Sequence, residues 1–216
     1  MRITDIPMPP AVAARPRDDR GYPVLAITPW EDGAPRFAAT GTARSYICAV
    51  ERLCSICGTP IDAGPVWRVV SGAEADAIAE AGPSFRNAAP TVEAPGHRAC
   101  MLYAAVACPY LALPTARRGV DSVLLDVSRG FPRGAGGAVV GFAHMEFRYT
   151  EAMMYRFADV IEFLPHEQGT EQLAALSAAL TDATLEPGVQ APEYLGADEN
   201  LATARFLEHR SGRTVV

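Results

Sequence analysis

Cys54 and Cys57 stand two residues apart, and His97 and Cys100 repeat that spacing further along the chain. No other pattern constrains the fold as much, because four donors of this kind around one ion pull two distant segments together whatever lies between them. In Cys54-Ser55-Ile56-Cys57-Gly58 the short spacer allows a tight knuckle whose amides point at the sulfurs, and Gly58 can take the positive φ that such a turn needs. Positions three apart share a helix face, so His97 and Cys100 can both present their side chains from a helix's first turn. The partial positive charge at that end of a helix favours the thiolate form of Cys100.

Thiolate sulfur and imidazole nitrogen in a set of four are the donors of tetrahedral structural zinc, and one zinc ion is the cofactor expected here. Four protein ligands leave no position open for water or substrate, so the expected role is structural. A knuckle followed by a helix start is also the ligand order of a treble-clef zinc finger. An iron–sulfur cluster would have to recruit Cys48 or Cys108. Cys108 lies more than two helical turns beyond Cys100, roughly 12 Å along the axis, and is expected in the core instead.

The formal charge of -6 gives no cationic footprint for wrapping phosphates, so broad nucleic-acid binding is disfavoured. All 19 basic residues are arginine. No apolar run is long enough to span a bilayer, and no membrane partner is expected. The first twenty residues hold early arginines and several prolines but no apolar stretch of secretory length, so an export signal is not expected. Five cysteines, an odd number at spacings unlike a disulfide framework, point to a reducing cytoplasm.

Along the chain, residues 1–22 read as a flexible arm, 23–185 as one zinc-containing α+β domain, and 186–216 as a tail with a further helix, ENLATARFLEHR. The zinc module occupies about 46–114. YPVLAIT and RFAAT around Asp32-Gly33 predict a hairpin, and PVWRVV a strand leaving the first ligand pair. Ser71 and Glu74 have capping-box spacing ahead of the helix GAEADAIAEA, which Gly82-Pro83 stops. HRACMLYAAVAC predicts a helix ended by Pro109. VDSVLLDV, AVVGFAHMEFRYT and YRFADVIEFL predict strands of an antiparallel sheet. A helix EQLAALSAALTDA follows, capped by Thr170, with Leu173, Leu176 and Leu180 on one face. The fold class is therefore α+β: a treble-clef-like zinc module with an antiparallel sheet and a few short helices.

From Cys54 to Pro114, the stretches CSICGTPI and RNAAPTVEAPGHRACMLYAAVACPYLALP resemble an uncharacterised family of zinc-binding proteins from high-GC Gram-positive bacteria, their phages and mobile elements. The shared elements are the CxxCG knuckle, a proline-rich approach to the histidine, HRxC opening a helix, and CPYL closing it. The resemblance implies the ligand set Cys54, Cys57, His97 and Cys100 and a compact α+β fold, and implies no reaction.

Other residues bear on chemistry. His144-Met145-Glu146 has the H-x-E form of zinc deaminases, but here the cysteine pair comes first and has its own partners. His144 and Glu146 could join His166 and Glu167 in a second metal or acid–base site if their strands are neighbours, which would make the protein a small metalloenzyme. Met145, Met153 and Met154 with Phe142, Phe147, Tyr149 and Tyr155 read as the apolar side of a half-buried sheet. Arg117, Arg118, Arg129 and Arg133 flank the glycine-rich RGFPRGAGG, which lacks the lysine of a P-loop. Arg86, Arg98, Arg117 and Arg118 are the cations nearest the zinc module if nucleic acid is recognised at all. The leading expectation is a cytoplasmic structural-zinc protein that binds or regulates a macromolecular partner, most simply another protein.

Overall fold

A computed structural model describes residues 6–37, 39–108, 137–166, 171–181 and 190–212. It is a mixed α+β structure with two small antiparallel sheets and several short helices. The strands β1 (Trp30–Glu31) and β2 (Ala34–Pro35) make a minimal hairpin. Its turn residues Asp32 and Gly33 both have positive φ, 51° and 77°, as a two-residue turn of matching twist requires. The longer hairpin expected over YPVLAIT and RFAAT does not form. Pro23, Pro29 and Pro35 withhold amide donors from such a ladder. Residues 22–28 instead run beside the knuckle, with the Ala26 and Ile27 amides donating to the carbonyls of Ile56 and Ser55.

The main sheet has the order β3-β4-β5, from β3 (Val66–Ser71), β4 (Gly137–Tyr149) and β5 (Met153–His166). The three expected strands within these ranges are present; VDSVLLDV, the glycine-rich loop and its arginines lie outside the described residues. Val66 to Ser71 pair with Phe142 to Gly137, so β3 reaches only the first half of β4. That half is buried on both faces, which its unbroken apolar run Ala138–Val140 reflects. Beyond it the β4–β5 register shifts at Gly141/Phe142, where Ile161 is the extra residue of a bulge and the next turn of chain puts Asp159 at φ 59°. The second half of the ribbon then alternates, with Met145 and Tyr149 half-buried and His144, Glu146 and Arg148 exposed.

Helices cover the sheet. They are α1 (Pro10–Ala13), α2 (Thr42–Val50), α3 (Gly72–Ala81), α4 (Arg98–Ala107), α5 (Glu171–Thr181) and α6 (Glu199–Ser211). The core joins Tyr46 of α2, Ile78 of α3, Leu102 and Val106 of α4, Leu176 and Leu180 of α5 and the buried sheet residues Val70, Val140, Phe142 and Phe157. The expected capping box at α3 is not made. Ser71 is the N-cap but its side chain makes no cap bond, and the Glu74 carboxylate, which would return the second bond of the box, is drawn to the buried Arg68 at 2.8 and 3.0 Å.

The two chain ends read as arm and tail are packed where they are described. Val12 is fully buried, and α6 lies on α2, where Glu51 accepts from Arg205 at 2.7 Å and also bonds Tyr194 and His209. Two buried arginines explain the attachment. Arg15 donates to the carbonyls of Val24 (2.9 Å) and Leu195 (2.7 Å). Arg44, without exposed surface, donates to Ala26 and Leu195 carbonyls and pairs with Glu199 at 2.7 Å. Arginine is the cation for this task because its fork can satisfy several carbonyls at once, a pattern that hydrophobic periodicity does not reveal.

Removing the guanidinium of Arg44 takes the side-chain donor from Ala26 O and the cation from the Glu199 carboxylate, while Leu195 O keeps its bond from Arg15. Arg44→Met is expected to lose about 3 kcal/mol or more of unfolding free energy, since breaking one side of a buried pair leaves the other uncompensated. Glu199→Gln, which leaves Arg44 its carbonyls, is expected to lose less; urea unfolding compares the two.

Candidate metal centre

The knuckle is built as the spacing predicts. Leu53 and Pro60 form an antiparallel bridge, the Cys54 amide donates to Thr59 O at 2.9 Å, and the Gly58 amide returns to Cys54 O at 2.8 Å. Gly58 has φ 78°. A Cβ there would also come within 3.0 Å of Ala191 and 3.2 Å of Ala26, so the position needs glycine twice over.

The second half-site is delivered by the sheet. Trp67 of β3 exchanges both backbone hydrogen bonds with Gly96 (3.0 and 2.9 Å), and His97 follows as the N-cap of α4. Cys100 is one turn inside that helix. The Ser55 amide meanwhile donates to Pro95 O at 3.1 Å, so both half-sites are stitched together by backbone bonds. Gly96 is the tight point: a Cβ would sit 2.8 Å from Cys54 Sγ and 2.7 Å from Met101 Cε. Arg98 then anchors the start of α4 to β5 through a fork on Glu162 (2.7–3.0 Å), and Trp67 Nε1 donates to the same carboxylate at 2.8 Å. The hydrogen bonds from Arg98, joined by that from Trp67, outweigh partial burial and hold Glu162 below the usual carboxylate range.

Cys54, Cys57, His97 and Cys100 bring one donor atom each to within 4.8 Å of one another. Around a tetrahedral zinc with bonds of about 2.3 Å to sulfur and about 2.0 Å to nitrogen, sulfur–nitrogen separations come to about 3.5 Å and sulfur–sulfur to about 3.8 Å. His97 Nδ1 lies 3.5 Å from Cys57 Sγ, the spacing such an ion requires, and 3.9 Å from Cys100 Sγ, a few tenths of an ångström longer. The three sulfurs are buried and the imidazole half-buried. His97 Nε2 is 2.8 Å from Pro60 O. A carbonyl can only accept, so Nε2 carries a proton and Nδ1 is the nitrogen turned to the sulfurs, the outer-shell bond that orients a metal-binding histidine.

The electrostatics call for a cation. Bonding to Cys100 and Cys54, then His97 and Thr59, outweighs burial and drives Cys57 far down, to the thiolate. The charges and hydrogen-bonding of Cys54 and Cys57, with burial, push Cys100 well up. Burial opposes ionisation of His97, yet Cys54 and Cys57 raise it to about 11. Protons shared this tightly among Cys57, Cys100 and His97 are those that a divalent ion would displace. The Thr59 hydroxyl at 3.1 Å and the His97 amide, 3.4 Å from Cys54 Sγ, stabilise thiolates from outside the donor set. Arg15 is a further balancing charge. Burial, and after it Arg44, lowers it to about 10, while Cys48, Cys57 and Cys54 pull the other way.

The remaining sequence candidates separate. Neither Cys48 nor Cys108 joins the group; burial pushes the Cys48 thiol far up, and it packs beside Ile47 and Leu53 as a neutral side chain. His144 pairs with Ala158 and His166 with Gly137, so the two histidines lie about 20 Å apart along the ribbon and share no site. His144 is exposed beside Asp159, His166 is buried, and Glu167 lies outside the described residues. Arg98 is committed to Glu162. Thr59, Pro60, Gly96 and Arg15 were not singled out from sequence; only the Pro-Gly step before His97 hinted at a close approach. No protein-family model, curated protein or solved structure matches the chain.

Cys57→Ser is expected to abolish stoichiometric metal binding, and Cys48→Ala to leave it intact. Gly96→Ala, which forces Cys54 aside, is expected to weaken zinc affinity about tenfold or more, measured by competition with a chromophoric chelator.

Proposed function

We propose that this protein binds one zinc ion at Cys54, Cys57, His97 and Cys100 as a structural centre of treble-clef type, and that the fold so fixed serves as a binding or regulatory module for a protein partner in the cytoplasm. The observation that carries the reading is the closed donor set. Three buried thiolates and an imidazole with its second nitrogen already committed fill a tetrahedral shell, so the ion's affinity is spent on folding. Zinc rather than a harder ion fits because the donors are three cysteine sulfurs and an imidazole, with no carboxylate in the group among the described residues.

All five cysteines are free thiols, which suits a reducing compartment. Among the described residues no helix is long and apolar enough to cross a membrane. The acidic balance favours a protein partner over nucleic acid. The motif likeness to the zinc-binding family of high-GC Gram-positive bacteria and their phages belongs with this reading and adds no reaction to it.

The test is the cobalt-substituted protein. Its visible spectrum should show thiolate-to-metal charge transfer and should not change on adding thiocyanate or free imidazole, because no coordination position is open to them. A spectrum shifted by either ligand would mean an exchangeable position, and with it a catalytic centre. Retention on DNA or RNA that falls steeply with salt would overturn the choice of partner.

A further inference from the structure

The second half of β4 has one edge with no backbone partner among the described residues. On one side His144–Tyr149 pair with β5. On the other, β3 ends at the Val66–Phe142 pair, and no bridge or backbone bond among the described residues reaches further. The matching edge of β5 is different: Arg86 bridges Ala158, Thr91 bridges Tyr155, and Asn87 accepts the Phe157 amide at 2.5 Å. One side of the ribbon is thus closed by the chain itself, and the other has no backbone partner among the described residues.

An open edge is a template for another strand, and proteins that stay single commonly blunt it with proline, short strands or charges turned inward. This edge has none of these. Met145, Phe147 and Tyr149 share the inner face with Phe157, Tyr155 and Met153, and Phe147 is 41% exposed despite that position. His144, Glu146 and Arg148 occupy the outer face.

We infer that this edge pairs with the same edge of a second copy, antiparallel, about a two-fold axis at Phe147. Residues directly opposite in a sheet point to the same face, so only registers that pair odd with odd and even with even positions are allowed. Centring on Glu146 or Arg148 sets like charges against each other. Centring on Met145 requires Phe142, whose edge β3 already occupies. Centring on Tyr149 carries the pairing out of the strand and opposes Phe147 to Glu151. The register at Phe147 sets Glu146 against Arg148 twice on the outer face, and Phe147 against Phe147 flanked by Met145–Tyr149 pairs on the inner one. Both faces are self-complementary at once, which is what an isologous interface demands. The result is one six-stranded sheet, and the inference is independent of the reading of the metal centre.

The full-length zinc-loaded protein is examined by sedimentation equilibrium, as wild type, Glu146→Arg, Arg148→Glu and the double exchange. Wild type is expected at twice the chain mass of 23.0 kDa. Each single change, which creates like-charge pairs, should raise the dissociation constant about tenfold or more, and the double exchange should restore it. A far-ultraviolet circular dichroism spectrum equal to that of wild type certifies each variant as folded. A monomeric wild type overturns the inference. So does a dimer indifferent to the single changes, or a double exchange that fails to recover.

Discussion

Convergence of four soft donors within 4.8 Å is the constraint on which the rest of the structure depends. Two of them come from a knuckle that is locally determined, the other two from a helix start that is not. The second pair arrives because Gly96 pairs with Trp67 at the edge of β3, and because Arg98, one residue past His97, is clamped to Glu162 on β5. Knuckle, helix and sheet are therefore one mechanical unit. An ion held by these donors would close a loop of chain whose far end the sheet already fixes. Tolerance for the α3 insertion follows, since it lies between the half-sites and touches neither.

Charge sets the second tier of organisation. Three thiolates and a neutral imidazole would leave a net negative centre even around a divalent ion, and Arg15 is a buried cation that Cys57 and Cys54 favour. Arg15 and Arg44 both donate to Leu195 O, so two buried arginines hold the segment before α6. Burying charge is costly unless every donor is employed. Here carbonyls do most of that work, and the ion pair with Glu199 completes it.

The metal donors and most regular elements were legible in the sequence because each rests on a local rule: ligand spacing for Cys54, Cys57, His97 and Cys100, alternation for the distal ribbon, glycine and proline stops for α3. What was not legible depends on contacts between distant residues. Nothing local distinguishes Arg15 in a proline-rich segment from a solvated arginine, and it was read as part of an arm. Ser71 and Glu74 had the spacing of a capping box, but Arg68, buried against Phe157, outbid the backbone for the carboxylate. YPVLAIT looked like a strand by composition and has its backbone bonds to the knuckle instead. His144 and His166 sit on neighbouring strands as their sequence suggested, but the pairing register keeps them apart.

The most direct test of the account is zinc-edge X-ray absorption on the native protein, with metal stoichiometry from the same sample. One zinc per chain with three sulfur scatterers at about 2.3 Å and a single nitrogen at about 2.0 Å would establish the closed structural centre. Two or more light-atom ligands, or a metal bound in less than stoichiometric amount, would mean that the donors do not close around the ion, and would contradict the account at its root.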